Sequence, residues 1–420
     1  MYDLWSRWFS YRGYKVTLVR NVTDIDDKIL EKAAETGEQW WALASRVEAE
    51  FQSAADSLRI QRPDLQPRAT GDIPAMVGLI ELLLERGYAY VADDGSGDVY
   101  FEVRAFPSYG QLTSQDLENL AQGDGEVRNK RSPEDFALWK GHKEGEPETA
   151  AWPAPWGSGR PGWHLECSAM ASRYLGKSFD IHGGGMDLRF PHHENELAQS
   201  SAAGHNFATY WMHNALVLVG GQKMSKSLGN SVFAYDLLEK NRPLVVRYAL
   251  CSAHYRSELD LQDNFLDEAR ASFERIEGFL TRAAHEGATV AIGKLPIEFE
   301  RALDQDMATP QAFAVIHERV SKGNQALKTE NLKLVEDEAS VVRAMLNVLG
   351  LDPLASEWKS ENDVAENKPI ESLMQSLISM RNRARDSGDF VQADQLREAI
   401  ESAGIKIKDS ERGSTWSLRG

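Results

Sequence analysis

The sequence predicts a multi-domain α/β protein: a doubly wound α/β domain, clipped at its N-terminus and carrying an insertion, then a helical region and a small α+β unit. Three observations predict it. A short β-branched run at 15–19 is followed by helical patterns at 27–36, 40–57 and 72–87 and by strand-like runs at 88–91 and 99–103. After residue 262 the apolar positions recur at helical spacing, and beyond 370 helix and strand patterns mix again. The length of 420 residues allows two to four domains at about 100–200 residues each.

Residues 4–12 read as a helix, with Leu4, Trp5, Trp8 and Tyr11 on adjoining faces and Gly13 ending it. The run 15–19 has the shape of a buried parallel strand. A βαβ unit needs a strand ahead of its first helix, yet the chain opens inside a helix at Met1 with no N-cap, hence the expectation of a clipped start. Residues 105–160, rich in glycine, proline, tryptophan and charge, suit an irregular insertion. The stretch 179–187 reads as a strand ending in a glycine turn, and 211–219 as another strand. Phe265, Ala269, Phe273, Ile276 and Leu280 fall on one helical face, and Thr309-Pro310 reads as an N-cap followed by proline at the first helical position. The polar stretch 355–368 reads as a linker. Helices at 370–386 and 390–403, then strands at 405–408 and 415–418, complete the chain.

With 47 basic and 64 acidic side chains the net charge is −17, which argues against blanket adhesion to nucleic acid or anionic membrane but leaves room for a local basic patch. A hydrophobic fraction of 42% excludes a largely disordered chain. No apolar run approaches the roughly 18–20 residues of a membrane span, and the N-terminus has no signal pattern. Two cysteines, Cys167 and Cys251, cannot build a disulfide framework. These features predict a soluble, cytoplasmic protein.

Six of the ten histidines lie between His164 and His213, in the stretch that also holds Cys167. Pro191 reads as a helix start, which places His192 and Glu196 at i and i+4 on one face, able with Cys167 to grip one zinc ion. The alternative is a buried, inert cysteine and histidines that cap a helix. The glycine-flanked loop 220–230 carries Lys223, Ser225, Lys226 and Ser227, suited to phosphate oxygens or else a solvated basic loop. Thr23 and the aspartates of 21–27 follow the predicted strand, where α/β proteins place ligands, or they cap the next helix. His182 and Asp187 flank the glycine turn and either contact a polar ligand or close the turn. His205, His254, His285, His317 and Cys251 stand alone and read as structural.

Together NVTDIDDKI, DFALWK, GRPGWHLECSAMA, FDIHGGGMDLRFPHHENELAQS, KMSKSLGN, HYRSELD and DFVQADQLREAIESAGIKIKDSERGSTW resemble the cysteinyl-tRNA synthetases, a family of class I aminoacyl-tRNA synthetases, essentially end to end. The resemblance implies a cysteine--tRNA ligase that activates cysteine with ATP and transfers it to the cysteine tRNA. Cys167, His192 and Glu196 match the family's zinc ligands, with zinc holding the substrate thiol. Trp163, Thr23, His182 and Asp187 match the cysteine pocket. Lys226, with Lys223, Ser225 and Ser227, matches the loop that stabilises the phosphates of ATP and its Mg2+. It further implies a Rossmann-like catalytic domain at 1–80 and 160–210, a connective insertion at 81–159 and a KMSKS region at 211–262. A helical tRNA-binding domain at 263–350, a linker at 351–369 and an anticodon-binding unit at 370–420 follow. Cysteine tRNA, ATP and L-cysteine are the expected partners of a monomer without membrane association.

One departure stands out: no H-x-G-H motif occurs in these residues, nor the strand with a zinc-binding cysteine that opens the family. A misplaced start or a fragment is the favoured reading, with poor adenylate formation by the chain as written. A catalytically defective tRNA-binding paralogue and a cysteine:glucosaminyl-inositol ligase are the alternatives. In the tail, Arg381, Arg383, Arg385, Arg397, Lys406 and Lys408 are candidates for phosphate contacts and Trp416 for base stacking, against a solvated face and a packed tryptophan.

Overall fold

The computed structural model describes residues 1–114, 130–224, 229–262, 264–358, 361–403, 405–410 and 413–418. The chain divides into two compact units, Met1–Asp352 and Pro353–Gly420.

The first unit opens with α1 (Tyr2–Tyr11), which buries Leu4, Trp5 and Trp8 and ends at Gly13 with φ +89°. Next come α2 (Asp27–Thr36), α3 (Trp40–Ser57) and α4 (Ile73–Glu85), each close to its predicted range. The predicted buried strand at 15–19 is a correction. No residue of that segment is buried, and it makes only isolated parallel bridges, Val19 with Leu65 and, just beyond, Val22 with Arg68. Its partner contains Pro63 and Pro67, which lack N–H donors, so a continuous ladder cannot form.

A four-stranded antiparallel sheet follows: β1 (Ala89–Val91), β2 (Val99–Phe101), β3 (Phe136–Gly141) and β4 (Gly159–Pro161) in that order. The described part of 105–160 is therefore less irregular than its composition suggests. The sheet shares one core with α4, whose Met76, Ile80 and Leu83 pack among Phe101, Phe136 and Trp139. Then come α5 (Trp163–Tyr174), β5 (Ser178–Gly185), α6 (Glu194–Ala202) and β6 (Phe207–Asn214). Strands β5 and β6 pair in parallel across the α6 connection, a βαβ unit. The predicted glycine turn lies inside β5, because Gly183–Gly185 keep pairing with β6 as far as Asn214. The strand predicted at 211–219 is split into the end of β6 and β7 (Val217–Val219). β7 lies between β8 (Gln222–Lys223) and β9 (Leu259–Asp260), with α7 (Ala234–Lys240) and α8 (Pro243–Ser252) in the connection.

Four helices complete this unit: α9 (Phe265–His285), α10 (Ile297–Asp304), α11 (Thr309–Lys328) and α12 (Leu332–Leu349). Thr309 is the first helical residue rather than the cap; its hydroxyl donates to the Ala253 carbonyl at 2.9 Å. Helix α11 meets α9 where Gly323 faces Phe279, and a Cβ there would lie 2.2 Å from the fully buried ring. Gly323→Ala should therefore destabilise the protein by about 1–3 kcal/mol through overpacking, although alanine is the better helix former. Urea unfolding checks this; a stabilised variant would mean that the interface has slack.

The second unit contains α13 (Glu361–Asp386), α14 (Phe390–Ser402) and the hairpin of β10 (Ile405–Ser410) with β11 (Gly413–Leu418). Met374, Ile400, Ile405 and Ile407 form its core. Part of the predicted linker is helical from Glu361 onward, a correction that the polar composition hid. Arg381 is buried and donates to Ser414 at 3.0 Å, so it serves the packing rather than a phosphate; Arg383, Arg385 and Arg397 are exposed. The backbones of Lys406, Lys408 and Trp416 lie in the hairpin, and their side chains are outside those described. Among the described residues no helix is long and apolar enough to cross a membrane.

Candidate active site and metal centre

Helices α5 and α6 and the carboxyl ends of β5 and β6 bring the histidine-rich segment together. Helix α5 begins hard against β3: a Cβ on Gly162 would fall 2.0 Å from the Ala137 carbonyl, so glycine is required for this approach. The first turn of α5 then presents Trp163, His164, Glu166 and Cys167. The turn Arg189–His193 and α6 supply His192, His193 and Glu196.

Ligand-type atoms of Cys167, His192 and Glu196 all lie within 4.8 Å of one another, as do those of His182, His193 and Glu196. Glu196 is the shared member and is fully buried. Its Oε1 lies 2.8 Å from His192 Nε2 and its Oε2 lies 2.6 Å from His182 Nε2. Yet neither oxygen has a hydrogen-bond partner of acceptable angle among the described residues. Lone pairs converging from a buried carboxylate, imidazole and sulfur fit a cation between them. The donor set of one thiol, imidazole nitrogen and carboxylate suits zinc.

The electrostatics point the same way. Burial raises the Glu196 carboxyl, but His182 and His192 outweigh it and hold the group well below the usual carboxylate range. Burial, with Glu196 and Glu166 alongside, pushes the Cys167 thiol well up, so its thiolate needs a cation. His164 Nδ1 lies 2.9 Å from His192 Nδ1, which occupies that nitrogen and leaves Nε2 to face the cluster. The Trp163 ring stacks on His192 at 4.1 Å. His193 Nδ1 meets His213 Nε2 at 2.7 Å, and burial takes His193 down to about 3, so that pair is neutral near pH 7. A Cβ on Gly184 would sit 2.8 Å from the His193 ring, which explains glycine at that point of β5.

The acidic run 21–27 is mostly consumed by structure. Asp24 accepts from the Thr70 backbone N–H at 2.9 Å, and Asp26 caps α2 by accepting from Lys28 N at 3.0 Å. Asp27 pairs with Lys140 and Arg160; burial raises its carboxyl, but the two cations outweigh this and bring it to about 2. Thr23 is different: its hydroxyl donates to Glu166 Oε2 at 3.2 Å, and Asn21 Nδ2 donates to Cys167 Sγ at 3.3 Å.

Asp187 lies in the turn after β5, with Oδ2 3.7 Å from Lys223 Nζ, both half-exposed. Ser225, Lys226 and Ser227 lie outside the described residues. The structure thus brings Thr23, Trp163, His182, Cys167, His192 and Glu196 to one place, with Asp187 and Lys223 paired at the end of β5. Sequence reasoning missed Asn21, His164, Glu166, His193 and His213; the density of histidines was the one available signal. His205, His254 and His317 are structural as expected, bonded to Ser172, the Asp306 carbonyl and Tyr248.

Residues 1–271 match the family model described as tRNA synthetases class I (C) catalytic domain, and 298–354 match the DALR domain. The chain is 54% identical to the cysteine--tRNA ligase of Leifsonia xyli subsp. xyli over 433 residues, covering 100% of this chain and 90% of that protein. It is also 54% identical to that of Clavibacter sepedonicus over 439 residues, with the same coverage, and 50% identical to that of Micrococcus luteus over 442 residues. A solved methionyl-tRNA synthetase from Mycobacterium tuberculosis superposes with a TM-score of 0.58 at 16% identity, covering 84% of this chain and 85% of that one, a likeness of fold.

Proposed function

The chain belongs to the cysteine--tRNA ligases, class I synthetases that join L-cysteine to tRNA at the expense of ATP, and on that premise we propose how its residues divide the work. Cys167, His192 and Glu196 hold a zinc ion. When bound, zinc supplies a Lewis acid that takes a soft thiolate and has little affinity for a serine hydroxyl. Thr23, Trp163, His182 and Asp187 line the cysteine pocket: Thr23 is oriented by Glu166, and Trp163 lies flat on the ligand imidazole. Lys226, with Lys223, Ser225 and Ser227, neutralises the phosphates of ATP and its Mg2+.

The helices of 263–350 and the unit 370–420, joined through 351–369, serve tRNA recognition. The catalytic segments 1–80 and 160–210, with the insertion 81–159 and the region 211–262, serve activation. The protein works as a cytoplasmic monomer. The observation that carries this reading is the buried Glu196 carboxylate, facing two imidazoles and a thiol with no hydrogen bond to satisfy it.

Calorimetric titration of the zinc-loaded protein tests it. L-cysteine should bind at least about 10³-fold more tightly than L-serine, and treatment with a chelator should abolish the difference. Equal affinity for the two amino acids, or a preference that survives metal removal, contradicts the reading.

A further inference from the structure

Asn21 lies on the same extended segment as Thr23, and residues two apart in extended backbone point the same way. Both reach the first turn of α5: Thr23 to Glu166 and Asn21 to the neighbouring Cys167. The Asn21 contact is an N–H donated to sulfur, 3.3 Å from Nδ2 to Sγ, directed at the atom that would carry negative charge in a metal site.

We propose that Asn21 is a positioning residue that donates a hydrogen bond to the metal-binding sulfur of Cys167 and thereby sets its strength as a ligand; this rests on the zinc reading above. An N–H directed at a ligating sulfur fixes its orientation, withdraws charge from it and would leave a bound ion more electrophilic toward the next thiolate. The segment that carries Asn21 is tied down by backbone bonds from Arg20 N to the Leu65 carbonyl at 3.1 Å and from Val22 N to the Pro67 carbonyl at 2.8 Å. The donor is therefore held in place from outside the metal cluster.

The test compares wild type, Asn21→Ala, Asn21→Asp and Cys167→Ser in two measurements: zinc affinity by competition with a chelator, and the absorption of the cobalt-substituted protein. Asn21 is exposed, so neither substitution opens a packed core. Asn21→Ala should weaken zinc binding by about tenfold and move the sulfur-to-cobalt charge-transfer band to longer wavelength, since the sulfur becomes more electron-rich. Asn21→Asp keeps the shape, replaces the donor with a charged acceptor, and should weaken binding further; a merely structural role would leave this isostere unchanged. Zinc affinity within twofold of wild type in both variants, with an unmoved band, overturns the proposal. A wild-type band that persists in Cys167→Ser is a different failure: it removes Cys167 from the metal site, and the proposal with it.

Discussion

Glu196→Gln should abolish the metal-dependent part of this protein's stability. The substitution keeps the volume of a fully buried side chain but removes the charge that two imidazoles and a thiol surround. Loss of a direct ligand should lower zinc affinity by more than the roughly 10–100-fold typical of losing an outer partner. Metal-free protein should lose less, because there glutamine gives up only the attraction of His182 and His192 that holds the carboxyl well below its usual range. The variant should thus be somewhat less stable than wild type without zinc and much less stable with it. At a thousandfold excess over its dissociation constant, zinc should add about 4 kcal/mol to the wild type and little to the variant. Thermal unfolding with and without zinc reads both arms. An equal zinc-induced rise in Tm for the two proteins would remove Glu196 from the site.

The second large effect is expected far from the metal, at Arg247→Met. The Arg247 guanidinium is buried in α8 and holds four parts of the first unit together. It donates to the Leu58 carbonyl at 3.0 Å after α3, to the Leu349 carbonyl at 2.7 Å at the end of α12, and to Asp3 in α1. Gly350 is pressed against it with φ +67°, so both backbone conformation and space demand glycine there. Removing Arg247 leaves the buried Asp3 with Arg7 as its remaining cation at 3.0 Å and takes donors from the Leu58 and Leu349 carbonyls, and the loss should be about 3 kcal/mol.

The pH dependence has a definite sign. Burial raises the Asp3 carboxyl, but Arg247, Arg7 and the Gln61 N–H outweigh it and hold it below its ordinary 3.8. A depressed carboxyl contributes stability above that ordinary value and loses it as the pH falls through the folded one. The gap between wild type and Arg247→Met should therefore narrow on acidification below about pH 4. Urea unfolding across this pH range checks the sign, and a gap that widens in acid contradicts it.

What could be read from the sequence follows the range of the interactions. The contact of His192 with Glu196 was legible because it is one helical turn long, and the nearness of Cys167 was suggested by the histidines clustered around it in sequence. The helices α2, α3 and α9 were legible from periodicity and from glycine stops. The side chains packed around this cluster were not. His193 meets His213 only because β5 and β6 pair in parallel around α6, and His164 meets His192 only because α5 and α6 pack together. Asp3 and Arg247 are 244 residues apart, beyond any local pattern. The run 15–19 misled because β-branched residues favour extended backbone whether or not a complete ladder is available, and here prolines interrupt the partner. The aspartates after it could be read as facing a ligand or as capping the next helix, and they are bonded to Thr70, Lys28, Lys140 and Arg160, with Asp26 as the cap of α2.

The most direct measurement is zinc K-edge X-ray absorption on the purified protein, alone, with L-cysteine and with L-serine. A metal held by Cys167, His192 and Glu196 that selects the substrate through its thiol predicts a sulfur neighbour at about 2.3 Å. One sulfur should be lost in Cys167→Ser, one gained when L-cysteine is added, and none gained with L-serine. Zinc surrounded by the same sulfur count in Cys167→Ser, or unchanged by L-cysteine at saturation, would contradict both the metal assignment and the basis of selection.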